Sequence, residues 1–288
     1  MQALQQLVRI QRRGTQEVRR RVFSALGEMD SYWKIHSPGN DKTGYVIGLF
    51  GSGRGYIIGL IRNLVGRRAK YFTWRTMRVR QIPTSMIYSG HATIRHICRH
   101  QLLPAATSRI LESVSSRCAD LIFVYRHPLD SLLTNWIYWR EYLRGNTRTW
   151  SVSYVYKNND ALAADLERNF PEFKAFAEGD PSFFASAPGP RFLSFPEFVE
   201  ETELYLDCAT LALRLEDFTI DPVKEFSKLA DLMSLGLDLD HLHVPPPNAK
   251  PYRYLRVEEK APRFRHFIDG LDAETIRRIG NIGYKLGG

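Results

Sequence analysis

Short apolar segments alternate with segments of helical periodicity along most of this 288-residue chain. Four apolar runs predict buried strands: Val46–Phe50, Ser85–Tyr88, Leu121–Tyr125 and Leu211–Leu215. Helical spacing predicts four helices: one after the first strand to Val65, one near Ile94–Gln101, one from Pro128, and one over about Asp221–Met233. Strands that alternate with helices predict an α/β fold of three layers, in which helices flank a central parallel sheet.

The chain divides into an amino-terminal arm and one domain. Residues 1–28 predict a basic helix, and the polar, Pro- and Gly-containing segment Ser37–Asp41 predicts a linker. We therefore expect a basic helical arm and linker at 1–43 and an α/β domain at 44–288. The arm either packs on the domain as a solvated helix or lies on a membrane surface.

Net charge and cysteine content indicate which classes of binding partner and which cellular compartment to expect. The formal net charge is +9, which favours anionic partners, but the chain has no nucleic-acid-binding motif. The three cysteines, Cys98, Cys118 and Cys208, show neither disulfide-framework nor metal-ligand spacing. No apolar run reaches the ~18 residues of a membrane span. We expect a cytoplasmic protein, with the arm at the inner membrane face as an alternative.

A glycine-rich turn, Gly51–Gly55, follows the first predicted strand and precedes a helix. Glycines let the backbone approach an anion closely, and the helix N-terminus supplies partial positive charge. The turn falls on the register of G-x-x-x-x-G-K-[ST], but Arg54 replaces the lysine and Gly55 replaces the hydroxyl that binds magnesium. It therefore suits a phosphate-bearing ligand whose chemistry needs no metal; a tight turn without a ligand is the alternative.

A second constellation follows the clearest strand, where Arg126 and Ser131 flank the segment His127–Asp130. Ligands of open α/β sheets bind beyond the carboxyl ends of the strands, so we expect Arg126 on the same rim as the glycine turn. Its guanidinium suits a terminal phosphate, and Ser131 can donate a hydroxyl. An ion pair between Arg126 and Asp130 is the alternative, and His127 is interpreted as a turn residue.

These two segments resemble the sulfotransferases that use 3′-phosphoadenosine 5′-phosphosulfate, a family with a P-loop-like fold. Phe50–Tyr56 resembles the family's strand–loop–helix for the 5′-phosphosulfate, and Tyr125–Ser131 resembles its grip on the 3′-phosphate. Leu213–Phe218 is similar to the family's Tyr-Glu-Asp-Leu segment. The resemblance covers roughly residues 44–236, and it implies 3′-phosphoadenosine 5′-phosphosulfate as co-substrate without a metal.

The resemblance also implies site residues. The implied cofactor-binding residues are Gly51, Ser52, Gly53, Arg54, Gly55, Tyr56, Arg126, Ser131 and Arg256.

The chain departs from the family pattern in the glycine turn, where Arg54 and Gly55 stand at the positions of two threonines, and at other positions. Gly51 stands at the position of the family's loop lysine, so Arg54 would supply the catalytic positive charge from a shifted position. Tyr56 stands where many members have a tryptophan that stacks on adenine. Arg253 and Arg256 are the nearest candidates for the late basic loop.

The second predicted strand is expected to end at the rim where the glycine turn and Arg126 meet, and His91 follows it. The resemblance suggests His91 as the general base, because the corresponding histidine of cytosolic members follows the same strand; a capping or turn residue is the alternative. An imidazole titrates near ~6.5, which suits a base at neutral pH. His96 and His100 have metal-ligand spacing on the predicted helix, but no third ligand is evident. The predicted reaction is sulfuryl transfer to a hydroxyl of a carbohydrate, glycolipid or surface polysaccharide. A small-molecule kinase and a non-catalytic nucleotide-binding protein at an anionic membrane are the alternatives.

Overall fold

The computed structural model describes residues 42–49, 51–65, 70–75, 83–89, 92–98, 120–143, 156, 158–186, 192–234 and 252–286. Within these residues the chain has an α/β fold, with more residues in helices than in strands.

The strands form one sheet. Their bounds are β1 Lys42–Gly48, β2 Lys70–Arg75, β3 Pro83–Ser89, β4 Ala92–Cys98, β5 Asp120–Tyr125 and β6 Leu211–Arg214. The order across the sheet is β2-β3-β4-β1-β5-β6. β4, β1, β5 and β6 run parallel, whereas β2, β3 and β4 pair antiparallel to one another.

The sheet is therefore mixed, and the expectation of a wholly parallel sheet is wrong at one edge. Only residues 90–91 separate β3 from β4, and Ser89 pairs directly with Ala92. A connection of two residues can join only antiparallel strands, because a parallel crossover needs about a dozen residues.

Most predicted elements are present, with shifted ends. The helices are α1 Arg54–Val65, α2 Pro128–Leu143, α3 Asn159–Arg168, α4 Phe170–Glu178, α5 Pro181–Ser186, α6 Phe195–Cys208, α7 Leu215–Ile220, α8 Pro222–Met233, α9 Arg253–Glu258, α10 Pro262–Asp269 and α11 Ala273–Asn281. The predicted helices after the first strand, from Pro128 and near residue 221 are confirmed as α1, α2 and α8. Strand β2 was not predicted.

The helix predicted near Ile94–Gln101 is wrong, because residues 92–98 form strand β4. This segment contains Thr93, Ile94 and Ile97, β-branched residues that favour extended backbone. It pairs along its length with both β1 and β3, so sheet formation outweighs the local helical periodicity. His96 therefore lies in a strand and does not share a helix turn with His100, which lies outside the described residues.

Alternate residues of the central strands pack against different helical layers. Ile122 and Val124 of β5 face one cluster, which includes residues of α1 and α8 such as Ile57 and Phe226. The intervening Leu121 and Phe123 belong to a second cluster with residues of α6. Helices therefore pack against both faces of β5, as expected for an α/β fold.

A third cluster holds α2 and the carboxyl-terminal helices together. Leu129, Leu133 and Trp136 of α2 are fully buried in it, and α9 contributes Tyr254 and Val257. This packing fixes the start of α2 and the start of α9 next to the carboxyl end of β5. None of the helices in the described part of the chain has the length and apolar character needed to cross a bilayer.

Candidate anion-binding site

The glycine-rich turn connects the end of β1 to the start of α1, as the sequence predicts. Gly51 and Gly53 both have a φ of 81°, a left-handed conformation that favours glycine. The N–H of Ser52 donates to the carbonyl of Leu49 at 3.1 Å, which closes the turn. The first turn of α1 contains no acidic residue, and the backbone N–H groups of Tyr56 and Ile57 donate to the Gly53 carbonyl at 2.9 and 3.3 Å. The N-terminus of a helix carries partial positive charge. The turn therefore presents positive backbone potential.

The glycine turn lies directly against helix α2. A Cβ atom built on Gly51 would lie 2.8 Å from Asn135 Oδ1 and 2.9 Å from the Ser131 carbonyl oxygen. A Cβ on Gly53 would lie 2.5 Å from Leu215, whereas one on Gly55 would have no neighbour within 4 Å. The structure thus brings the two segments that the sequence singled out into contact, and only glycine fits at position 51.

Two hydroxyl groups at this contact are buried. Ser52 is 2% exposed and Ser131 is fully buried, and neither Oγ atom has a hydrogen-bond partner among the described residues. Buried hydroxyls almost always have a partner, and leaving one unpaired costs ~1–3 kcal/mol. Phosphate and sulfate oxygens are acceptors of the kind to which such hydroxyls can donate.

Arg54 turns back under the glycine turn. Its guanidinium donates to the carbonyl of Gly48 at 2.6 Å, and the side chain is buried. This bond ties the first turn of α1 to the last residue of β1. Tyr56, two residues further, is partly buried against the cluster that contains α8, and burial raises the pKa of its hydroxyl. Ligand contacts of Arg54 and Tyr56 stay predictions.

Arg126 follows β5 and is buried at 5% exposure. Its guanidinium donates to the carbonyl of Asp130 and to the hydroxyl of Thr134, while its Nε has no hydrogen-bond partner among the described residues. The hydroxyl beside Arg126 is therefore that of Thr134 rather than Ser131. Thr134 was not singled out from the sequence. Its position four residues after Asp130, on the same face of the predicted helix, is the signal that could have identified it.

Asp130 uses its carboxylate for a different element. Its Oδ1 accepts the backbone N–H of Tyr254 at 2.9 Å, so the alternative of a direct Arg126–Asp130 ion pair is not what the structure contains. Burial raises the pKa of Asp130 to about 6, against the opposing effects of Arg126 and the Tyr254 N–H. The carboxylate anchors the start of α9 beside Arg126.

Arg253, at the start of α9, is the second cation near this carboxylate. Burial lowers the pKa of Arg253, and the charge of Arg126 lowers it further, while Asp130 raises it. Two guanidinium groups thus share a half-buried region with one carboxyl group, an arrangement that an anion would stabilise. Arg256, which the resemblance implied, is exposed on the same helix.

His127 caps helix α2, as expected for a turn residue. Its Nδ1 accepts the N–H of Leu129 at 3.2 Å, and its own N–H donates to Glu216 at 2.9 Å. The imidazole stacks on the ring of Tyr254 at 4.1 Å between centroids. Burial lowers the pKa of His127 to about 3, so the ring is neutral near pH 7. The other oxygen of Glu216 accepts the hydroxyl of Tyr284 at 2.9 Å.

His91 lies outside the described residues, so its role as base stays a prediction. The strands on either side of it bear on that prediction. Ala92 pairs with Lys42 at the start of β1, whereas the glycine turn follows Gly48 at the other end. Six steps along a strand cover about 20 Å. The expectation that the second predicted strand ends at the glycine-turn rim is wrong, because β3 is antiparallel to β4.

Residues 1–41, which make up most of the predicted arm and linker, and Phe50 also lie outside the described residues. Among the described residues, no group of three or more His, Cys, Asp or Glu side chains could hold a metal ion. No protein-family model matches the chain, and a search of curated proteins found no significant match.

Proposed function

We propose that this chain is a sulfotransferase that moves a sulfuryl group from 3′-phosphoadenosine 5′-phosphosulfate to a hydroxyl acceptor. The observation that carries the proposal is the contact between the glycine turn and α2. There, the buried hydroxyls of Ser52 and Ser131 have no partner among the described residues, and Arg126 follows the neighbouring strand. The glycine turn and Arg126 are two adjacent anion-binding positions, here called the anion grips. Together they suit a nucleotide that carries two separate phosphate groups.

The topology supports a P-loop-like fold for the domain. β1 lies between the parallel strands β4 and β5, and the glycine turn joins it to α1. In the proposed complex the glycine turn holds the 5′-phosphosulfate through backbone N–H groups and the N-terminus of α1. Arg126 holds the 3′-phosphate, with the hydroxyl of Thr134 and the guanidinium of Arg253 beside it.

The reaction needs positioning and charge stabilisation. The acceptor oxygen attacks sulfur in line, and the bond between sulfur and the 5′-phosphate oxygen breaks. The acceptor's proton passes to a base, and adenosine 3′,5′-bisphosphate leaves with negative charge on its 5′-phosphate. Backbone N–H groups of the glycine turn stabilise that charge as it develops, and Arg54 is the proposed cation beside them. No step requires a metal ion.

The acceptor is proposed as a hydroxyl of a carbohydrate, glycolipid or surface polysaccharide, which the positive net charge favours when the acceptor is anionic. The resemblance alone implies His91 as the base. The strand ends that flank it lie at the opposite end of β1 from the glycine turn, so the proposal does not depend on His91 in that role.

Calorimetry with two ligands tests the proposal. We expect adenosine 3′,5′-bisphosphate to bind equally well with and without a chelator. Tighter binding of ATP with magnesium, or loss of all binding in chelator, would favour the kinase alternative. Full-length chain mixed with anionic vesicles tests the membrane alternative, which predicts nucleotide-dependent sedimentation and no turnover. Transfer of isotope-labelled sulfuryl groups to carbohydrate and glycolipid acceptors then tests the reaction itself.

A further inference from the structure

Tyr252, at the start of α9, has an unusual backbone conformation and an exposed aromatic ring. Its φ of 56° is in the left-handed region, which a bulky residue rarely adopts. Its side chain is 38% exposed, although it is a large aromatic ring. Strained backbone persists where the surrounding structure holds it, and such positions cluster at ligand sites.

The surrounding contacts hold this turn in place. Asp130 accepts the backbone N–H of Tyr254, two residues after Tyr252, at 2.9 Å. His127 stacks on Tyr254 at 4.1 Å, and the ring of Tyr252 lies edge-on to the same imidazole at 6.0 Å. The residues that fix Tyr252 are therefore the neighbours of Arg126 in sequence.

The sheet order places Tyr252 relative to the two anion grips. The glycine turn follows β1, Arg126 follows the adjacent β5, and β6 ends at Arg214, which pairs with Tyr125. The ring of Tyr252 lies 6.0 Å from the imidazole of His127, the residue that follows Arg126, so the ring lies near the carboxyl end of β5. The glycine turn, Arg126 and the exposed ring therefore lie along the same edge of the sheet.

We propose that Tyr252 stacks on the base of the nucleotide whose phosphate Arg126 holds. The inference rests on the proposed function, and it adds a ring-binding residue that the sequence did not indicate. An exposed ring beside two guanidinium groups suits a ligand that carries an anion and a flat ring on one scaffold. Tyrosine faces stack on nucleobases without sequence preference, and stacking needs no hydrogen bond from the hydroxyl.

Two substitutions of Tyr252 separate its ring from its backbone. Tyr252→Asn removes the ring and keeps a residue that tolerates left-handed backbone. Tyr252→Phe keeps the ring and removes the hydroxyl. Ile276→Asn is the matched control, because Ile276 is also exposed (43%) but lies on α11. Thermal unfolding should show that all three variants fold.

Calorimetry with adenosine 3′,5′-bisphosphate and with inorganic pyrophosphate measures the role of the ring. We expect Tyr252→Asn to bind the nucleotide about 5- to 150-fold more weakly, the effect of losing one stacked base. Pyrophosphate, which has no ring, should bind Tyr252→Asn as it binds the wild type. Tyr252→Phe and Ile276→Asn should leave both affinities unchanged.

The outcomes that overturn the inference are distinct from failure of the proposed function. Equal weakening of both ligands would show that Tyr252 only supports the anion grip, and unchanged nucleotide binding by Tyr252→Asn would show that no base stacks on it. Either result leaves the sulfotransferase proposal standing. If the wild type bound pyrophosphate but no adenosine 3′,5′-bisphosphate, the proposed function would fail, and the stacking role with it.

Discussion

The backbone of Gly51 lies so close to Asn135 that a single added methyl group would come within 2.8 Å of the Asn135 side-chain oxygen. This contact joins the turn after β1 to the helix after β5, two segments that are about 80 residues apart in the sequence. It is the point at which the proposed 5′-phosphosulfate grip and the proposed 3′-phosphate grip become one site.

Gly51→Ala should damage this site, because the new Cβ would meet α2 and the left-handed φ of 81° would strain alanine. We expect a loss of ~1–3 kcal/mol in the free energy of unfolding, measured by urea denaturation. Gly55→Ala is the matched control, because a Cβ there has no neighbour within 4 Å. It should be neutral or stabilising by up to ~1 kcal/mol, since alanine favours helix. Equal losses in both variants would contradict the described contact.

The two arginines of α9 should differ in their effect on ligand binding. Arg253 is half-buried and feels the charge of Arg126, whereas Arg256 is exposed. Arg253→Ala should weaken adenosine 3′,5′-bisphosphate binding by ~1.5–3 kcal/mol, the value of a hydrogen bond to a charged group. Arg256→Ala should change it by less than ~0.5 kcal/mol, as expected for a surface substitution. Calorimetry on the two variants shows whether Arg253, which the structure favours, or Arg256, which the family resemblance implied, contributes to nucleotide binding.

The buried carboxyl of Asp130 should make stability depend on pH. Its folded-state pKa of about 6 lies above the ordinary value of 3.8, so the folded state binds this proton more tightly than the unfolded state. The stabilising contribution of the protonated group is complete below pH ~4 and is lost as the pH rises through 6. Burial of the charged form is the cause.

Asp130→Asn has no ionisable carboxyl, so its unfolding free energy does not fall as the pH rises through 6. Relative to the wild type, the variant should therefore gain of order 2 kcal/mol in unfolding free energy between pH 4 and pH 7.5, measured by urea denaturation at each pH. Asp180→Asn serves as the control of opposite sign, because hydrogen bonds from Ser182 lower the pKa of this exposed carboxyl. If the Asp130 variant showed no relative gain with rising pH, its carboxyl would not be buried as described.

His91→Ala tests two opposed expectations. The family resemblance implies that His91 is the base, whereas the pairing of the flanking strands indicates that it lies far from the glycine turn. A general base contributes ~10²–10⁴-fold to turnover. Because Ala92 pairs with Lys42 at the far end of β1, we expect the variant to keep sulfuryl-transfer turnover within about ten-fold of the wild type, short of that loss. A loss of a hundred-fold or more with unchanged nucleotide affinity would identify His91 as the base and contradict the antiparallel β3–β4 arrangement.

Local patterns in the sequence predicted the elements that surround the site. The apolar run before Tyr125, the proline at 128 and the glycines at 51 and 53 each predict a local structure that the chain adopts. Such features depend on neighbours in the sequence, through backbone φ preferences, proline geometry and hydrophobic periodicity. They suffice for the α/β class and for the glycine turn.

Features set by distant contacts were not predictable in the same way. Residues 92–98 have mixed periodicity, and only pairing with β1 and β3 makes them a strand. The approach of Arg253 to Arg126 depends on an anchor between Asp130 and Tyr254, which are 124 residues apart. The exposed ring of Tyr252 carries no sequence motif at all.

Arg126 is proposed to bind the 3′-phosphate of a nucleotide whose 5′-phosphate lies in the glycine turn. The direct measurement compares the affinities of adenosine 3′,5′-bisphosphate and AMP for the wild type and for Arg126→Ala. We predict that the wild type prefers the bisphosphate by ~1.5–3 kcal/mol, and that Arg126→Ala abolishes this preference while binding AMP as the wild type does. If the substitution weakened both ligands equally, or if the wild type showed no preference, Arg126 would not bind the 3′-phosphate and the account would be wrong.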